Sequence, residues 1–208
     1  MSDIVEKLAK LEPNLIGEPL GIDDLVLTAI HQRAFIEALN AVECQKFKRS
    51  YIFQSILIGS TYSVIMSIMK SYDRQTREED INTLRKLLNK VKNKKNEVLC
   101  LLEHYDTRNL NSVFEPLKNY RDKTLAHNEM MQTINWNQVD KALLVTVEVW
   151  SFVEEQSKSK IMFPFYKFES VSCGLEQLLS TNDLLLAKNA WKNFIFRIHN
   201  AYQSGKCL

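Results

Sequence analysis

The stretch "NYRDKTLAHNE", residues 119–129, sets Arg121, Asp122, Lys123 and His127 in one short polar run with apolar sequence on both sides. Histidine titrates near neutral pH, so it can serve as general base or general acid. Arginine carries a permanent planar charge that matches phosphate oxygens and can stabilise a crowded anionic transition state. Asp122, next to the arginine, is placed to orient that guanidinium and to limit how far its charge disfavours a protonated His127. Together these residue types could bind a phosphate group and move a proton beside it.

The spacing raises a difficulty. On an α-helix, six residues turn the second side chain ~120° away from the first. A helix opening near Pro116 aligns Leu117, Arg121, Thr124, Leu125 and Asn128 on one arc, with His127 off that arc beside Tyr120. Arg121 therefore interrupts a stripe that should be buried, and it must snorkel, pair, or line a pocket or interface. One motif also supplies a single histidine, whereas acid and base catalysis need two groups. A two-fold homodimer would bring in a second His127 and a second Arg121, and the partners then need not share a face in one subunit. The bare spacing is common: with eight arginines and four histidines in the chain, about 0.5 such pairs at gaps of four to six arise by chance.

The 208 residues, 45% apolar and 25% charged, suit one sizeable domain with a real core. Five glycines and four prolines are too few to punctuate many short strands, so long helices are expected. A net charge of +2 argues for no nucleic-acid partner by itself. "MSDIVEKLAK" lacks the apolar segment of a secretory signal, and Cys44, Cys100, Cys173 and Cys207 form no ligand-spaced set. Reduced cytoplasmic thiols and no zinc site are the reading. "GKCL" places its cysteine wrongly for prenylation.

An irregular arm, 1–21, precedes a first helix striped by Ile22, Leu25, Val26, Ala29, Ile36 and Leu39 and running to about residue 46. Residues 51–69, "YIFQSILIGSTYSVIMSIM", carry no charge. Seven of the nineteen are Gln, Ser, Thr or Gly, which favours a buried central helix over a membrane span. Its small residues Gly59, Ser60 and Ser63 would also permit a close helix partner. Thr76 and Glu79 read as a capping box for a third helix with Ile81, Leu84, Leu87, Leu88 and Val91. Helical sequence resumes at 97–105. Beyond the helix at Pro116 comes another, carrying Val139, Ala142, Leu143, Thr146, Val149, Trp150 and Val153. A loop through Pro164, a short helix at 172–180 and a last one from Asp183 to about Tyr202 complete an all-α bundle, 22–158, with a small C-terminal helical extension, 159–208.

"YRDKTLAHNE" resembles the R-polar-x(3–5)-H signature of the HEPN superfamily (higher eukaryotes and prokaryotes nucleotide-binding). With the upstream "SYDRQTREEDINTLRKLL" it is similar to the abortive-infection U-type HEPN proteins over most of 22–155. The resemblance implies a HEPN-like helical bundle and a metal-independent endoribonuclease of toxin or phage-defence type, without cofactor. Arg121, His127 and Asp122 would be its catalytic set, in a composite site between two protomers. RNA, a second copy and an antitoxin or regulatory protein are the implied partners, with no membrane. The alternative is a non-catalytic HEPN-like module that binds nucleotide, RNA or protein. One departure stands out: HEPN toxins controlled by nucleotide modification often carry a tyrosine two residues after the histidine, where this chain has Glu129.

Secondary signals are weaker. Lys123, inside the motif, and Asn128, just after His127, are weak candidates for RNA contacts. "RKLLNKVKNKK" adds Lys92, Lys94 and Lys95, which could follow an RNA backbone but equally form a solvated helix end. "FPFYKF" could stack bases or cap the core. His31, His104 and His199 have no ligand-spaced neighbours. No Gly-rich phosphate loop or H-E-x-x-H is present.

Overall fold

The computed structural model describes residues 21–72, 83–91, 112–126, 134–157 and 175–204, with Asn96, Val98, Cys100, Phe168 and Ser172. Every regular element among them is helical. Seven α-helices occur in order: α1 (Ile22–Ala41), α2 (Gln45–Lys48), α3 (Tyr51–Ser71), α4 (Leu84–Lys90), α5 (Glu115–Tyr120), α6 (Trp136–Ser157) and α7 (Thr181–Ser204). A π-helical turn, Arg121–Ala126, continues α5, and a single 3₁₀ turn, Leu175–Gln177, stands where a short helix at 172–180 is expected. The capping pair Thr76 and Glu79, the loop through Pro164 and most of 97–105 lie outside the described residues.

Local chemistry starts several of these helices. The Ser50 hydroxyl accepts from the Phe53 N–H at the head of α3, and the Thr83 hydroxyl does the same for Lys86 on α4. At α6, Asn135 and Gln138 exchange bonds at 3.0 Å, each side chain accepting from the other's backbone N–H. The predicted α6 stripe is the buried one: Val139, Ala142, Leu143, Thr146, Val149, Trp150 and Val153 all face the interior. α6 packs against α1, α3, α4, α5 and α7, which makes it the helix the others share. α7 lies along α1 and α6 and adds Ala187, Trp191, Phe194, Ile198 and Tyr202 to the same core.

Two expectations need correction. The first helix ends at Ala41, not near 46, because Val42 is extended (φ −61°, ψ 136°). The freed N–H groups of Glu43 and Cys44 donate to Asp183 Oδ1 at 2.7 and 3.2 Å. Asp183 also receives the Ser180 hydroxyl at 2.8 Å, so one carboxylate joins the break after α1 to the start of α7. These bonds, led by the one from Ser180, hold its carboxyl below the usual range. The second correction concerns α3, which is buried on one face only. Phe53, Val64, Ile65, Ile68 and Met69 are inside, whereas Tyr51, Ile52, Ile58 and Tyr62 are exposed. By length and composition the helix could cross a membrane, but its inner face belongs to the bundle core.

A charge sits in that core. Arg33 is buried on α1, and its Nε and Nη2 donate to the two carboxylate oxygens of Asp140 on α6 at 2.7 and 3.1 Å. Its Nη1 donates to Glu37 at 2.6 Å. The guanidinium carbon lies 4.5 Å from the Trp136 ring centroid and 5.1 Å from that of Phe194. Arg197 on α7 donates to the same Asp140 at 2.9 Å. At the far ends of these helices the Trp150 indole donates to Asp23, the Ser151 hydroxyl to the Tyr202 carbonyl, and the Tyr202 hydroxyl to the buried Glu154. Burial, then this bond to Glu154, pushes the Tyr202 phenol well up.

Asp140→Ala leaves the buried Arg33 guanidinium only the partly exposed Glu37 as partner and should cost about 3–5 kcal/mol. Arg33→Met should cost less, because Asp140 keeps Arg197. Urea midpoints with constant m-values test this ordering, and the reverse ordering would contradict the buried pair. His31 makes a second check. It stacks on Trp191 (5° interplanar), and burial pushes its imidazole down to about 4. The folded state disfavours the charged form. Its contribution is therefore complete above the unfolded value near 6.5 and lost as pH falls towards 4, by about 2–3 kcal/mol at pH 4.5. His31→Phe should flatten that acid-side loss relative to the parent chain. Unchanged pH dependence of unfolding in the variant would refute the assignment.

Candidate functional site

The polar stretch is held from its N-terminal side. Phe114 is buried and lies 4.4 Å, ring centroid to centroid, from Tyr72 at the end of α3. The Ser112 hydroxyl accepts from the Phe114 N–H, Pro116 occupies the first turn where a missing N–H costs nothing, and Leu117 is fully buried. α5 thus rests on α3 and α6. After Tyr120 the helix widens into the π turn, which also packs on α3. This turn replaces the regular α-helix expected here, so the α-helical arc that begins at Leu117 does not continue past Arg121. Single π turns inside helices occur frequently at functional sites.

Arg121 and Asp122 meet at the head of the turn. Asp122 Oδ1 accepts from Arg121 Nε at 2.7 Å and from Nη2 at 2.6 Å. One carboxylate oxygen takes one edge of the guanidinium, and Nη1 is not used in the pair. The side chains are 27% and 40% exposed. An ion pair that open contributes only ~0–1 kcal/mol, so it orients the guanidinium rather than stabilising the fold. Arg121 is thus neither fully buried in the stripe nor free on the surface: it is half-buried and tethered, with solvent access for a ligand.

Lys123 is exposed on the same turn. His127, Asn128, Lys92, Lys94 and Lys95 lie outside the described residues, as do His104 and Glu129. Of the sequence candidates, the structure brings together Arg121 and Asp122. It adds Tyr120 and Tyr62, which sequence reasoning did not select. Burial, then the nearby Tyr62 hydroxyl on α3, holds the Tyr120 phenol above its usual value. Tyr120 could have been suspected from its place beside Arg121, but nothing in the sequence ties it to a residue 58 positions earlier. Among the described residues no group of three or more His, Cys, Asp or Glu could hold a metal ion.

A helical bundle that carries the Arg121–Asp122 pair is what the resemblance to HEPN proteins implies. Residues 28–159 match the family model HEPN_AbiU2 (AbiU2), and the chain belongs to this family of abortive-infection HEPN proteins. Comparisons with curated proteins and with solved structures gave no match.

Because the Arg121–Asp122 pair is exposed, Asp122→Ala should change stability by no more than about 1 kcal/mol. Leu117→Ala, one turn earlier, should cost about 2–5 kcal/mol. Denaturant unfolding of both variants separates an orienting acid from a structural one. A large loss in Asp122→Ala would make the acid structural.

Proposed function

We propose that this chain is a metal-independent endoribonuclease of toxin or phage-defence type, acting in the cytoplasm as a homodimer. The observation that carries the reading is the tethered guanidinium: Arg121 is held along one edge by Asp122, half-exposed, on a π turn of a HEPN_AbiU2 chain. In this reading Arg121 binds the scissile phosphate and stabilises the phosphorane. His127 moves a proton to or from the reacting oxygens, and the second copy supplies the complementary acid or base. Asp122 is a positioning residue that keeps the guanidinium fork aimed and partly neutralised. Lys123, Asn128 and the lysines at 92, 94 and 95 would follow the RNA backbone, with no cofactor. An antitoxin or regulatory protein would restrain the activity.

The decisive measurement is cleavage of RNA by the purified chain with detection of a 2′,3′-cyclic phosphate end. His127→Ala should lower the rate by at least ~10²-fold while helical content and oligomeric mass stay unchanged. Undiminished cleavage by this variant would sink the proposal. Asp122→Asn should reduce the rate and move the acidic limb of the pH–rate profile to lower pH, because an unneutralised guanidinium disfavours a protonated His127. Retained RNA binding with no cyclic-phosphate product would instead assign the chain as a binding module.

A further inference from the structure

Two unlike surfaces meet where the π turn packs on α3. The turn brings charge: Arg121 is half-exposed with one edge held by Asp122, and Lys123 stands exposed on the same turn. α3 brings none, because residues 51–69 contain no charged side chain. Its outer side shows Tyr62, 42% exposed, and one turn earlier on the same face Ile58, 52% exposed.

Tyr62 lies beside the turn. Tyr120, the residue before Arg121, is half-buried, and its hydroxyl is close enough to that of Tyr62 for charge on one to disfavour charge on the other. Burial, then this neighbour, holds the Tyr120 phenol above its usual value, so it stays neutral. A phenolate at this position would repel a phosphate, whereas a neutral ring does not. The place of Tyr62 is also set before any ligand arrives. Val64 and Ile65, which follow it on α3, are fully buried in the core, so the helix cannot roll to withdraw the ring. A tyrosine has few torsions to freeze, so an exposed one makes a rigid contact surface at little entropic cost. Helices packed about 8–10 Å apart hold their flanking side chains within the span of one nucleotide.

We infer that Tyr62 stacks on the base of the nucleotide whose phosphate Arg121 holds, which restricts the site to unpaired RNA. The polarity of the surface selects this occupant over a protein chain. Cations and a neutral aromatic surface stand side by side, as phosphate and base do in a nucleotide. In a duplex both faces of a base are covered by its neighbours, so a protein ring reaches a base only where the strand is single or the base is splayed out. Phosphate contacts alone would not make that distinction. The choice of RNA rests on the ribonuclease reading, while the stacking is measured apart from cleavage.

The probe is a short fluorescein-labelled RNA with 2′-O-methyl riboses, which cannot be cleaved through the 2′-hydroxyl. Fluorescence anisotropy at fixed salt compares its single-stranded form with the same strand annealed to its complement. The full chain should bind the single strand at least ~10-fold tighter than the duplex. Tyr62→Ala should weaken single-strand binding by about 5- to 150-fold and erase most of that preference, with helical content and oligomeric mass unchanged. Tyr62→Phe, which keeps the ring, should bind like the parent chain. Arg121→Gln should weaken binding of both forms and lower the salt slope by about one.

Absent or equal binding of the two forms by the parent, unchanged affinity in Tyr62→Ala, or a Tyr62→Phe variant as weak as Tyr62→Ala would overturn the inference. A changed oligomeric mass in Tyr62→Ala would do the same, since the ring would then seat protein rather than a base. If the stacking results hold but unmodified RNA yields no cyclic-phosphate end, the platform stands and the ribonuclease reading fails. If Tyr62→Ala binds the probe and cleaves unmodified RNA as the parent does, the reading stands and the platform fails.

Discussion

The buried pair of Arg33 and Asp140 constrains how this bundle can be assembled. A guanidinium on the inner face of α1 is too costly to leave unpaired, and only a geometry that brings α6 to it with the right rotation supplies both carboxylate oxygens. The same demand fixes α7, since Phe194 lies under the guanidinium and Arg197 shares Asp140. With α1, α6 and α7 set relative to one another, α3 fills the remaining side of α1 and presents its inner face to the core. Alternative packings that rotate α6 would leave the buried guanidinium only Glu37 on its own helix, so the pair favours this register.

That scaffold determines how the Arg121 turn is presented. α5 is short and gains little from helix propensity alone. It is held by Phe114 on Tyr72 and by Leu117 in the core, both contacts belonging to the side of the bundle formed by α3 and α6. Beyond these anchors the backbone widens, and Arg121 leaves the apolar stripe for a half-exposed position against Asp122. Leu117, the last fully buried anchor of α5, lies four residues before Arg121, so a well-packed bundle presents an accessible charge at its edge.

Much of the fold could be read from periodicity. The stripe of α6 and most of the stripe of α7 were legible because each helix has one strongly apolar side and polar residues opposite. The end of α1 was not, because the carboxylate that takes the N–H groups of Glu43 and Cys44 comes from Asp183, about 140 residues away. α3 misled for another reason. Its apolar residues run all round the helix, so no pattern separates the packed face from the open one. At the site, Arg121 and Asp122 were visible as neighbours in the chain, whereas the π turn leaves no residue-type signature and only the packing of α5 on α3 brings Tyr120 near the helix that carries Tyr62.

The sequence by itself determined the helical class, the family signature and the residue types able to handle a phosphate, because these depend on local spacing and side-chain chemistry. Only the tertiary structure decided that Arg33 pairs with Asp140, that Arg121 is tethered and half-exposed, and that α3 keeps an apolar face outside. Those outcomes depend on which residues distant in the chain meet. The cost of a buried charge and the geometry of packed helices settle that, and neither is written in any one segment.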